Sequence, residues 1–103
     1  MTNMTDILKE TVESIAKNLV DKPNDVKVNA ITSTKSIIVQ IKTAKEDTGK
    51  VIGKKGRTID ALKIIASAIK NTQFNADSRR VIVEVLEDEN SAFSYKNKYR
   101  EEQ

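Results

Sequence analysis

The chain contains no cysteine, no histidine and no tryptophan. Without thiols there is no disulfide framework, no cysteine zinc site and no thiol nucleophile. Without imidazole the commonest general base and metal ligand is missing. Ser–His, Cys–His and zinc hydrolysis are therefore excluded, and carboxylate–magnesium chemistry is left as a remote option. The chain is expected not to be an enzyme, with no catalytic residue, no metal ligand and no cofactor. Aromatics are scarce, and none lies between Met1 and Asn71, so base stacking on Phe or Tyr is unavailable to that stretch. No apolar run exceeds three residues, too short for insertion into a membrane. The N-terminal MTNMTDILKE has no basic stretch followed by an apolar one, so no secretory signal is visible. These absences give the expectation of a cytoplasmic protein.

What the chain does have is charge, unevenly placed. Its 103 residues carry 18 basic and 15 acidic groups, a net +3. Residues 1–41 balance to zero. Residues 42–70 hold Lys42, Lys45, Lys50, Lys54, Lys55, Arg57, Lys63 and Lys70 against Glu46, Asp47 and Asp60, a net +5. Residues 71–103 come to −2. A basic middle on a near-neutral body points to an anionic partner that docks at one place.

Hydrophobic periodicity orders the chain. Residues 5–20 read as an amphipathic helix, capped by Thr5 or Asp6, with Leu8, Val12, Ile15, Ala16 and Leu19 in one stripe. Asp21 to Asp25, with Pro23 inside, ends it. Val26, Val28 and Ala30 alternate with polar residues as a strand, and Ile37, Val39 and Ile41 mark a second strand over Ser36 to Lys42. Their short polar link makes an antiparallel pair. Glu46 to Ile52 suits two helical turns. Arg57 to Lys70 suits a longer helix with Ile59, Leu62, Ile65, Ala66 and Ile69 on its apolar face. After a polar stretch, Val81, Val83 and Val85 alternate as a third strand. The order α-β-β-α-α-β predicts an α+β fold, a two-layer sandwich with helices on one face of a three-stranded sheet.

All three glycines, Gly49, Gly53 and Gly56, fall within eight residues, between the two later helices. Glycine lets a backbone approach another closely and adopt positive φ. The following helix start presents unpaired N–H groups and partial positive charge to a phosphate. Lys54, Lys55 and Arg57 add cations, and Thr58 adds a hydroxyl or a cap. The spacing does not fit a mononucleotide loop, since five residues on from Gly49 stands Lys54 rather than glycine, and no G-x-G-x-x-G is present.

The run Val51-Ile52-Gly53-Lys54-Lys55-Gly56-Arg57-Thr58-Ile59, flanked by two short helices, resembles the signature loop of a KH domain, whose GXXG clamps about four nucleotides of single strand. The element order is similar to the type II arrangement. VIGKKGRTIDALKII with an N-terminal helix resembles the bacterial KhpA (YlqC) family of single-KH RNA-binding proteins. The resemblance implies an RNA chaperone for single-stranded RNA, working with a KhpB-like KH partner and linked to cell elongation, division and cell-wall homeostasis. It implies that Gly53, Lys54, Lys55 and Gly56 form the clamp, with Lys50, Arg57 and Thr58 beside it. Val51, Ile52 and Ile59 would then belong to an apolar floor under the bases, although as helix apolar residues they are read equally well as core. Two to three phosphate contacts would make log K fall against log salt with a slope of about −1.4 to −2.1. A lone platform binds weakly, so a homodimer or a complex is expected. The other readings are a scaffold subunit with an idle loop, and a single-stranded DNA binder.

The domain boundaries are 1–86 for the KH domain and 87–103 for a polar C-terminal tail, either disordered or a short helix. Phe93, Tyr95, Lys96, Lys98, Tyr99 and Arg100 in that tail would stack on RNA, dock on a partner, or do neither.

Overall fold

A computed structural model describes residues 3–86, and the tail proposed for 87–103 lies outside them. Helix α1, Met4–Lys17, is capped not by Thr5 or Asp6 but by Asn3, whose Oδ1 accepts the Asp6 amide at 2.9 Å. Its buried residues Met4, Leu8, Val12 and Ala16 recur every fourth position and form one ridge. The helix stops three residues short of the expected end. Asn18 turns its side chain back onto the Ser14 carbonyl at 2.8 Å, and the Asn18 and Leu19 amides close tighter bonds to Ile15 and Ala16. Leu19, expected in the apolar stripe, is 36% exposed.

Strands β1, Lys27–Thr32, and β2, Ser36–Lys42, pair antiparallel, with Val28 opposite Ile41 and Thr32 opposite Ile37. Ser33 makes the turn: its amide donates to the Ser36 carbonyl at 2.8 Å, and its hydroxyl accepts the Ser36 amide at 3.1 Å. The chain crosses over through α2, Thr48–Ile52, and α3, Arg57–Gln73, and returns as β3, Arg80–Leu86. This strand lies parallel to β2, with Val83 beside Val39. The crossover covers the inner face of the sheet.

Within the described residues the sheet order is β1-β2-β3. Helix α1 lies on β1 and β2, α3 lies on β3 and against α1, and α2 packs on α3. The core joins Leu8, Val12 and Ala16 of α1, Ile37, Val39 and Ile41 of β2, Val83 and Val85 of β3, and Ile59, Leu62 and Ala66 of α3. The apolar stripe of α3 is narrower than its sequence suggests, because Ile65 is 42% exposed while Ala66 is buried. No helix among the described residues is long and apolar enough to cross a membrane.

Candidate functional site

Helix α2 is only five residues long, and a polar cluster fixes it in place. Asp47, just before it, is fully buried. Its Oδ2 accepts the Lys22 amide at 2.9 Å and its Oδ1 accepts the Lys50 ammonium at 3.0 Å. The same ammonium reaches Asp21 at 2.7 Å, and Lys22 pairs with Glu46 at 2.6 Å. Burial pushes the Asp47 carboxyl up. The Lys50 hydrogen bond and the amides of Lys22 and Asp21 more than offset this and leave it below its ordinary value. Hydrogen bonds to Asp21 and Asp47 raise Lys50. The segment after α1 is thus tied to the start of α2, twenty-five residues away.

Gly53 ends α2. Its amide donates to the Gly49 carbonyl at 2.8 Å, and its φ of 79° with ψ of 169° is open only to glycine. Close approach adds a second reason. A Cβ on Gly53 would stand 2.2 Å from Thr58 Oγ1 and 2.8 Å from the Thr58 backbone nitrogen. Thr58 therefore folds over Gly53 and does not cap α3. The cap position belongs to Gly56, left-handed at φ 75°, and no side chain caps the helix. Gly49, by contrast, has nothing within 4 Å of where a Cβ would be.

Between the glycines the backbone makes a single tight turn. The Gly56 amide donates to the Gly53 carbonyl at 3.1 Å, and the Arg57 amide donates to the Lys54 carbonyl. Lys55 sits at φ 57° and ψ 25°, the sole non-glycine residue at positive φ among those described. The sequence suggested that free amides in this loop would hold a phosphate. The amides of Gly53, Gly56 and Arg57 are instead already bonded within it. What the loop offers outward is charge. Lys54, Lys55 and Arg57 are exposed, and among the described residues none of them makes a side-chain hydrogen bond or ion pair.

The expected site residues thus divide. Gly53, Lys54, Lys55, Gly56, Arg57 and Thr58 come together as one turn at the α3 N-terminus. Lys50 lies one helical turn earlier with its ammonium held by Asp21 and Asp47. Val51 and Ile59 are fully buried and belong to the core, which leaves Ile52, half-buried, as the apolar side chain beside the loop. Asp47, which holds Lys50, counts in the sequence only as one of three acids within the basic middle. Its partners lie far off in sequence, and the one local hint is the three-residue spacing to Lys50.

This two-layer arrangement, with a Gly-Lys-Lys-Gly turn between consecutive helices, defines a KH domain of type II order. Comparison with known proteins agrees. Residues 9–85 match the KhpA/KhpB, KH domain family. The chain is 47% identical over 81 residues to the "RNA-binding protein KhpA" of Clostridium perfringens, which covers 77% of this chain and all of the relative. Identity is 47% over 79 residues to the protein of that name from Caldanaerobacter subterraneus, covering 75% of this chain and 97% of the relative. Against that of Chlamydia trachomatis it is 38% over 81 residues, covering 79% of this chain and 99% of the relative. The chain belongs to the KhpA/KhpB KH-domain family. No solved structure matches it.

Proposed function

We propose that this chain is a non-catalytic RNA-binding protein of the cytoplasm that holds single-stranded RNA at the Gly53–Gly56 turn and acts as an RNA chaperone. The observation that carries the reading is the sign of the charge. Among the described residues Lys54, Lys55 and Arg57 have no ion partner, and they stand at the N-terminus of α3, the positive end of the helix dipole, where cations destabilise by about 0.3–1 kcal/mol each. Folding alone would favour acids there. An anionic backbone that docks on the turn turns this unfavourable cluster into a favourable one. The side chains of Lys54, Lys55 and Arg57 take the phosphates, and Ile52 gives the adjacent sugar or base an apolar wall. Lys50 flanks this surface and acts on it by fixing α2. The names carried by the relatives support the RNA reading. A KhpB-like KH partner and a role in cell elongation, division and cell-wall upkeep follow from the family resemblance. Ile64, 70% exposed on α3 beside Ile65, supports self-association, which would raise avidity by joining two weak sites.

The test is to replace Lys54 and Lys55 with Asp and measure binding of a fluorescent single-stranded RNA at several salt concentrations. Aspartate tolerates the left-handed conformation at position 55, so the fold is kept. Affinity should collapse and the slope of log K against log salt should shrink by about 1.4. Unchanged affinity in the folded variant refutes the reading. A variant that keeps its protein partner and had no RNA affinity to lose would point to the scaffold role. Equal binding of the matching DNA strand would widen the ligand to any single strand.

A further inference from the structure

The outer face of the sheet, opposite the helices, carries cations at both ends and an apolar row between them. Strand pairing sets its outward residues in rows. At one end Lys27 of β1 stands directly opposite Lys42 of β2, and at the other Arg80 of β3 stands beside Ser36 of β2. Between these ends Asn29 faces Gln40, and Ile31, Ile38 and Ile82 form one line across all three strands. The Lys35 carbonyl accepts the Arg80 amide at 2.9 Å, which brings a further cation to that end. The end rows stand six residues apart on β2, roughly 20 Å along the strand.

Folding alone gives no reason for this pattern. Like charges directly opposite each other on a sheet are unfavourable. Lys27 and Lys42 are nevertheless both exposed, and neither they nor Lys35 and Arg80 have an ion partner among the described residues. Glu84 is the one acid among the outward strand residues. Ile31 is 51% exposed and Ile82 39% exposed, with Ile38 half-buried between them. The side-chain amides of Asn29 and Gln40 make no hydrogen bond among the described residues, and such amides pair with base edges. A polyanion whose units each carry a flat, partly apolar group answers all of these at once. A second copy of the same face would instead set cations mainly against cations. An acidic protein surface is disfavoured because an RNA held at the Gly53–Gly56 turn is already present at high effective concentration.

We propose that the outer face of the sheet is a second contact surface for single-stranded RNA. Lys27 and Lys42 hold phosphate at one end, Arg80 holds it at the other, and the isoleucine row lies under the nucleosides. The face has no aromatic, so stacking adds nothing there and the contact is weak. The ligand class rests on the reading above, but the residues are separate from the turn, because α2 and α3 lie on the far side of the sheet. One chain then holds two segments of RNA at once.

The test follows backbone amide shifts by NMR in the full chain as a short single-stranded RNA is added. The amides of Asn29, Gln40 and Ile82 should move in the parent, and should still move in the Lys54→Asp, Lys55→Asp variant. In that background Lys27→Glu with Arg80→Glu should abolish the movement and cut the slope of log K against log salt by about 1.4, the share of two phosphates. Lys27→Glu alone makes the same test on a pair whose charges then attract, so its melt should not fall. Face amides that stay still while those of the turn move overturn the inference and leave the turn reading intact. Face amides that move while those of the turn do not support it and sink the turn reading instead. Movement on concentrating the protein without RNA assigns the face to a second copy. Equal movement with oligoglutamate assigns it to an acidic protein surface, and either result overturns the proposal.

Discussion

Replacing Gly53 by alanine tests the geometry of the loop most sharply, because Gly49 provides an internal control four residues away. At Gly53 the backbone conformation, φ 79° and ψ 169°, is one that side chains disfavour by about 1–3 kcal/mol. The new Cβ would also stand 2.2 Å from Thr58 Oγ1, 2.6 Å from Thr58 Cβ and 2.8 Å from the Thr58 amide nitrogen. Rotation of Thr58 relieves the first contact, whereas the other two yield only if the first turn of α3 moves. The total should sit at the upper end, about 3 kcal/mol, which lowers Tm by more than about 10 °C in a domain of this size. Gly49 lies within α2 with open space where its Cβ would be. Alanine there should stabilise by about 0.5–1 kcal/mol, since glycine loses more freedom on entering a helix. Thermal melts followed by circular dichroism read both changes, and RNA titration well below the melt separates lost binding from lost folding. Adding Thr58→Ala to Gly53→Ala should recover part of the loss, because the backbone contact remains. A Gly53→Ala variant that melts with the parent, or a Gly49→Ala variant that melts lower than Gly53→Ala, would refute the reasoning.

Asp47→Asn keeps an acceptor for the Lys22 amide but removes the buried charge that holds the exposed Lys50, so Tm should fall, and RNA affinity at low temperature should fall with it as α2 loosens. An unchanged melt would show that the cluster is ornamental. On acidification, Asp77 is held at about 2 against an ordinary 3.8, first by the Arg79 side chain and then by the Arg79 amide, and Glu46 and Asp47 are also lowered. Carboxyls with depressed values stabilise the fold above their unfolded values and lose that contribution as pH falls through the folded ones. Stability should therefore drop between about pH 4 and pH 2, and Asp77→Asn should flatten part of that limb in urea titrations. Ile64→Glu, at an exposed position, should leave the melt of dilute protein unchanged while abolishing self-association in sedimentation. A dimer that survives the substitution uses another surface.

Strand parity was legible because a period of two assigns every side chain to a face. Val28, Ile37, Val39, Ile41, Val83 and Val85 all lie inside as their alternation predicts. Helix limits were less legible. Leu19 continues the helical period of α1, but Asn18 competes for the Ser14 carbonyl and stops the helix at Lys17, a contest that hydrophobic spacing does not record. The cap went to Asn3 and not to its neighbours because capping is decided by backbone angles, which several adjacent polar residues could satisfy. In the loop the residues were legible and the hydrogen bonding was not. Glycine spacing says that a turn exists, but whether its amides face outward or bond to Gly49, Gly53 and Lys54 depends on the angles at Gly53, Lys55 and Gly56. Asp47 was the least legible, since burial of an acid depends on the Asp21–Lys22 segment that folds over it.

The same contacts sharpen the meaning of the basic middle. A surplus of five charges spread over 29 residues is a diffuse attraction that any polyanion would feel, and salt would screen it within about 10 Å. Folding concentrates it. Lys50 is taken by Asp21 and Asp47, Lys63 stands 3.7 Å from Asp60, and Lys42 points from the outer face of the sheet. Lys54, Lys55 and Arg57 are left side by side on one turn, bounded by Gly53 and Gly56 at positive φ. The amides of Gly53, Gly56 and Arg57 are bonded to Gly49, Gly53 and Lys54, so those three donors do not cage a phosphate, and the spacing of the three cations carries more of the recognition. On the proposed reading such an arrangement would follow a sugar-phosphate chain regardless of base, which predicts that Arg57→Lys is tolerated while Arg57→Gln weakens all single-stranded RNAs to a similar degree.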